Sequence, residues 1–221
     1  MKELRLPRTT KDGVPYISYS QWKMWKEAKS FHLRVEGKLE YMLEYFFGEE
    51  FPDMGWAAFG NKVEDYVTER KGADLFDDKE KKVMDTIEPL GVFQQEAWLN
   101  LGDFKLRGFL DDMTPEGRKI RDYKTASENS SKKYYEDDYY QLDIYAMWVL
   151  QEFGTLPEEM EVCIIERKGN PFKREDLVVG DNVWYVDRPI NPMRIQELRD
   201  DVIQVAHEIS DYYKTFLNLC Q

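Results

Sequence analysis

Asp111 and Asp122 stand eleven positions apart, and Lys124 follows two positions after the second. That spacing lets one hairpin bring two carboxylates and an ammonium together. Phe104 to Asp112 and Arg118 to Thr125 are rich in apolar and aromatic residues. Between them Thr114, Pro115, Glu116 and Gly117 supply a turn, with Pro and Gly placed to reverse the chain. Asp111 and Asp122 should then lie nearly opposite each other. Side chains alternate along a strand, so Asp122 and Lys124 share one face while Tyr123 points to the other. Such a set suits a hard divalent cation and a phosphodiester, because carboxylate oxygens are the ligands Mg2+ prefers and the cation can also take a phosphate oxygen. Lys124 can hold or deprotonate an attacking water. The cation would acidify water and offset charge on the phosphate, so no covalent intermediate is needed. The same residues also fit a surface hairpin with one cross-strand ion pair, worth about 0.2 to 1 kcal/mol.

The elements that must hold these groups are legible in outline. Ser18 and Ser20 offer caps for a first helix from Gln21 to about Ala28, and a second apolar-periodic stretch runs from Gly55 to Lys71. Asp77 to Glu88 reads as a short charged helix closed by Pro89 and Gly91. Strands are expected at Phe93 to Leu101, Phe104 to Asp112 and Arg118 to Thr125. After a helix from Asp137 to Gln151, two more are expected at Met160 to Arg167 and Val183 to Asp187. A final helix runs from Pro192 to about Leu219, with Pro early in its first turn. Ser127 to Lys133 and Gly169 to Gly180 read as polar loops. The order describes an α/β protein with a central mixed β-sheet flanked by helices.

Four short segments follow one another in this framework: Gly60-Asn-Lys-Val-Glu64, Gly108-Phe-Leu-Asp111, Asp122-Tyr123-Lys124 and Gln141-Leu-Asp-Ile-Tyr145. Each is weakly specific alone. In this order and spacing they resemble the active site of the PD-(D/E)XK nuclease superfamily, in particular its RecB-like exonuclease branch. The resemblance implies a restriction-endonuclease-like core and cleavage of DNA with Mg2+ or Mn2+. It also implies Asp111 and Asp122 as metal ligands, with the Tyr123 carbonyl as a further one, and Lys124 as the residue that positions water. Where the branch usually carries a histidine ligand, this chain has Glu64. A carboxylate is a harder ligand than imidazole and would favour Mg2+ or Mn2+. Glu64 can equally be a solvated acid on an amphipathic helix. By the same resemblance Gln141 and Tyr145, one helical turn apart, border the metal and contact the nucleic-acid backbone. The alternative is a buried Tyr whose hydroxyl is satisfied by Gln. Glu96 could approach the metal or pair with Lys105 or Arg107. Asp112 and Asp143 should point away from their motif neighbours.

Composition bounds the rest. With 221 residues, 42% of them hydrophobic, the chain can bury one sizeable core, and it is expected to be a single nuclease domain over 1–221 with a helical part to about residue 90. Two cysteines, Cys163 and Cys220, cannot hold a four-cysteine iron-sulfur cluster, and two histidines, His32 and His207, leave no credible zinc site. No phosphate-cradling Gly-rich motif is present. No apolar run is long enough to span a bilayer, and the N-terminus lacks a secretory core, so the expectation is a cytoplasmic or nucleoid-associated protein of prokaryotic or phage origin. The net charge of -12 makes the charge distribution more informative than the sum. The best basic patch is Gln21 to Arg34, where Lys23, Lys26 and Lys29 recur beside Trp22, Trp25 and Phe31. There lysines could neutralise phosphates while an aromatic stacks on a base, unless the aromatics are core. Smaller basic clusters are Lys132-Lys133, Arg167-Lys168 and Lys173-Arg174. The expected partner is DNA, single-stranded or with a free end, with a recombination or replication protein as a second. A nuclease-fold scaffold with weakened catalysis and an RNA-directed nuclease are the competing readings.

Overall fold

A computed structural model describes residues 8–30, 55–135, 139–170 and 176–219. The chain divides into two compact units, one of Pro52–Gln95 and Phe109–Ile190, the other of Met1–Phe51, Glu96–Gly108 and Asn191–Gln221.

The first of these carries the hairpin. β4 (Lys105–Met113) and β5 (Lys119–Ala126) pair antiparallel with Asp112 opposite Arg121, so the next step along the ladder sets Asp111 against Asp122. The turn closes as its composition requires. The Thr114 hydroxyl accepts the Arg118 and Lys119 amides at 3.0 and 3.1 Å, and Gly117 takes a φ of 68° that disfavours other residues. β5 then pairs parallel with β6 (Glu159–Lys168) over eight residue pairs, from Lys119 with Glu159 to Ala126 with Glu166. β6 pairs antiparallel with β7 (Val178–Asp187), with an irregularity between Ile165 and Arg167. One parallel and two antiparallel neighbours make the sheet mixed. A strand inside such a sheet is covered on both faces, which is why Met160, Val162, Cys163, Ile164 and Ile165 form an unbroken buried run.

Parallel pairing of β5 and β6 demands a crossover, and helix α4 (Gln141–Phe153) supplies it. Residues Leu142 to Val149 of α4 are all buried, and Gly154 ends the helix in the left-handed conformation. Helix α2 (Gly55–Glu69) is amphipathic: Phe59, Val63, Tyr66 and Val67 pack with Phe76, Met84 and Ile87 against Tyr123, Cys163 and Ile165 of the sheet. α3 (Asp78–Met84) begins at a capping box in which Asp77 accepts the Glu80 amide and Glu80 accepts the Asp77 amide.

In the other unit β1 (Arg8–Thr9) pairs antiparallel with β2 (Pro15–Ser18), and β2 runs parallel to the start of β4. β3 (Val92–Asn100) also pairs with β4. α1 (Tyr19–Ser30) packs on α5 (Pro192–Leu219), where the Trp22 and Trp25 indoles donate to Asp201 and Glu208 at 2.8 and 2.9 Å.

The architecture is the expected α/β one, a mixed sheet flanked by helices. Four details differ from the sequence reading. β1 and β2 are too short to leave a periodic signal. β7 begins five residues earlier than expected, at Val178. The segment from Ser127 is no irregular loop: a reciprocal Ser127–Ser130 cap opens a helical turn over Glu128–Ser131, followed by a 3-10 turn over Lys132–Tyr135. The crossover helix starts at Gln141 rather than Asp137, and 136–138 lie outside the described residues. No helix of the described residues is long and apolar enough to cross a membrane.

Candidate active site

The site is built on β4 and β5. Asp122 is fully buried and Asp111 is 8% exposed. The Lys124 ammonium lies 2.6 Å from Asp122 Oδ2 and 4.0 Å from Asp111 Oδ2. The Tyr123 amide donates to Asp111 Oδ2 at 2.8 Å, which ties the first carboxylate to the strand that carries the second. Tyr123's side chain leaves from the opposite face and donates to Asp112 at 2.8 Å. Asp112 also accepts the Leu90 and Gly91 amides, so it faces away from Asp111 as alternation requires. Arg121 holds this rear cluster together through Glu161 at 2.6 Å and the Glu88 carbonyl at 2.7 Å.

The site opens into a cleft of about 380 Å3 lined by Trp56, Gly60, Glu64, Gln94, Asp111, Lys124 and Tyr134, among others. Glu64 therefore reaches the same space as Asp111 and Lys124, although it precedes Asp111 by 47 positions. Its carboxylate accepts a hydrogen bond from the Gln94 amide nitrogen. Gln94 adopts a φ of 47°, a left-handed conformation unusual outside glycine, at the residue that touches Glu64.

Burial sets the electrostatics. It pushes the Glu64 carboxyl up to about 7, helped by Asp122 and Asp65 and opposed by Lys124 and Gln94. Burial, then the Asp122 and Glu64 charges, hold Asp111 well above the ordinary carboxylate range. Burial alone would lower Lys124, but the charges of Asp122 and Asp111 outweigh it and keep the ammonium protonated. Three acids thus share one lysine, a surplus of negative charge that a divalent cation would neutralise.

The donor set fits a hard cation in chemistry, since every side-chain acid here offers oxygen. Among the described residues the buried Asp122 Oδ1 has no hydrogen-bond partner, an orphan acceptor that an ion would satisfy. Among the described residues no three acidic, histidine or cysteine side chains form a closed ligand set.

Gln141 and Tyr145 come to the same end of the sheet. Gln141 Nε2 lies 3.3 Å from the Tyr145 hydroxyl, which donates to the Phe109 carbonyl on β4. Tyr145 is 4% exposed, so its ring is core. A residue the motif pattern did not single out completes the row: the Tyr139 hydroxyl lies 2.7 Å from Asp122 Oδ2 and 3.1 Å from Gln141 Oε1. Its one proton goes to the nearer, charged oxygen. No sequence signal marks Tyr139 or Gln94, since both act only after the chain folds back from a distance.

Glu96 pairs with Arg107 at 2.8 Å, the cross-strand reading. In α1, Trp22 is 4% exposed and Lys26 is paired with Asp201 at 2.5 Å, while Lys23 is exposed. Trp22 is therefore core. The rest of that patch, 31–34, lies outside the described residues, as do Lys173, Arg174 and Cys220. Lys168 is paired with Asp181 at 2.5 Å.

A family model described as the PD-(D/E)XK nuclease superfamily matches residues 33–216. Among solved structures, a candidate exonuclease from Eubacterium rectale superposes with a TM-score of 0.54 at 16% identity, covering 88% of this chain and 82% of that one, a likeness of fold. No curated protein matches the sequence.

Proposed function

This chain belongs to the PD-(D/E)XK nuclease superfamily, and on that premise we propose that it is a Mg2+- or Mn2+-dependent exonuclease that hydrolyses phosphodiester bonds in DNA from a free end. Asp111, Asp122, Glu64 and the Tyr123 carbonyl would hold the cation. When bound, the cation supplies positive charge against the phosphate and makes water more acidic. Lys124 is charged, so it acts as a donor: it orients the attacking water and bonds the phosphate oxygen that gains charge as the water oxygen attacks phosphorus. The attacking water gives a proton to solvent as its oxygen bonds phosphorus, the bond from phosphorus to the leaving sugar oxygen breaks, that oxygen takes a proton from solvent, and one product end keeps the phosphate. Tyr145 ties α4 to β4 through the Phe109 carbonyl, Gln141 beside it is a proposed contact to the nucleic-acid backbone, and Lys23 on α1 is separately another, while Lys26 is already paired with Asp201.

The observation that carries this reading is the buried, unpartnered Asp122 Oδ1 beside a lysine 2.6 Å from the other oxygen of the same carboxylate. A purely structural ion pair has no need of Asp111 and Glu64 in the same cleft. The test is cleavage of end-labelled single-stranded, duplex and circular DNA, with matched RNA, in Mg2+, Mn2+ or EDTA. Metal-dependent loss of linear DNA only, abolished in Lys124→Ala, is the expected result. Binding of DNA without cleavage in any metal would favour a nuclease-fold scaffold, and preference for RNA would replace the substrate.

A further inference from the structure

The cleft beside Lys124 has one wall of which the hydrolytic chemistry uses only one end. Helix α2 contributes Trp56, Gly60 and Glu64 to it, residues spaced four apart and so on one face. The acid stands at the reacting end. Gly60 lies in the middle and has no side chain to fill the cleft; a Cβ there would come within 3.3 Å of Thr125 Oγ1, the residue next to Lys124. Trp56 stands two turns from Glu64, about 12 Å along the helix axis at 1.5 Å per residue. It is 42% exposed. Among the large hydrophobic side chains exposed in the described residues, it is the one that lines this cleft.

A single exposed apolar residue on a surface needs no explanation, but a tryptophan in the wall of a charged cleft does. Its indole lines the same space as Asp111 and Lys124. A nucleic-acid strand brings a phosphate to the acids and lysine, and its neighbouring base is the only part with a flat apolar face to cover an indole. A base inside a duplex has both faces occupied, so the cleft takes an unpaired one.

We propose that Trp56 is a base-stacking platform that seats an unpaired nucleotide near the scissile phosphate and makes a single-stranded or frayed end the form of substrate that is cut. This rests on the nucleic-acid cleavage proposed above. Stacking is indifferent to base identity, so the platform sets strandedness and not sequence. Because Trp56 is exposed at the start of its helix, Trp56→Ala retains the fold, which a thermal melt verifies.

The experiment measures binding and cleavage of a single-stranded oligonucleotide by wild type, Trp56→Ala and Trp56→Phe, with Lys124→Ala as the background for binding in Mn2+. Each protein is tested on the natural strand and on a series of strands with one abasic position stepped inward from the end. Trp56→Ala should weaken binding of the natural strand about tenfold, with Trp56→Phe close to wild type. At one abasic position the Trp56→Ala penalty should vanish, because the partner base is gone. Equal binding and cutting by wild type and Trp56→Ala on every strand would overturn the platform and leave the nuclease reading intact. Failure of wild type to cut any nucleic acid would instead overturn that reading and the platform with it.

Discussion

Lys124 and Asp122 form an ion pair at 2.6 Å, and their removal should have different consequences. Lys124→Ala should lower cleavage by a factor of 100 or more, the scale for losing a positioned donor, while Mn2+ still binds by calorimetry. Asp122→Asn should lose both. Tyr139→Phe removes the hydrogen bond to Asp122 Oδ2 without changing shape. It should weaken Mn2+ about 10-fold or more, the range for partners that orient a ligand, while the melting temperature of the metal-free protein changes little. Glu64 gives the pH dependence. Its folded pKa of about 7 lies above the ordinary glutamate value, so the folded metal-free state binds the proton more tightly than the unfolded one. That stability is present below the ordinary value and is lost as pH rises through about 7. The Glu64 part of the fall should be about 1 to 3 kcal/mol in urea titrations, and Glu64→Gln should remove that part while the part due to Asp111 remains. At this scale the hairpin residues were legible, because alternation along a strand fixes which of Asp122, Tyr123 and Lys124 share a face. Tyr139 was not, since its contact with Asp122 depends on the path of the chain between β5 and α4.

Among the elements, the β4–β5 hairpin and α4 were readable to within a few residues, for opposite reasons. The hairpin declares itself by its turn. Gly117 is required there by its positive φ, and a Cβ would meet Phe153 Cδ2 at 2.9 Å. Gly117→Ala should cost about 1 kcal/mol or more in chemical denaturation, with cleavage reduced only as far as the folded fraction falls. α4 declares itself by being apolar nearly all round, as a crossover helix over a sheet must be. β2 was not readable, because four residues with Pro at the start carry no alternation. Neither was the turn after Ser127, where a run of polar residues reads as loop until the two serines are seen to cap each other.

For the whole molecule, the order of the elements indicated the α/β class and composition a charge of -12, but not where the charge would matter. The lysine and tryptophan patch of α1 illustrates the difference: Trp22 is core and Lys26 already has a carboxylate. In the described site the surplus is negative, so a divalent cation that binds only the folded state should stabilise the whole chain. At 100 times its dissociation constant Mn2+ should add about 2.7 kcal/mol, read as a rise in melting temperature that EDTA reverses and Asp122→Asn abolishes. The same geometry carries a consequence for how the chain folds. Asp111, Asp122 and Lys124 lie on strands joined by one short turn, so their approach requires closing only a small loop and can occur within microseconds. Glu64 arrives from a helix far upstream, and β6 must be threaded alongside β5 after a crossover; both are slow, long-range events. The nascent hairpin would therefore gather two carboxylates with only Lys124 to offset them. Divalent cation present during refolding should relieve that repulsion and speed the step, so the ion would act as a folding nucleus before it serves any chemistry.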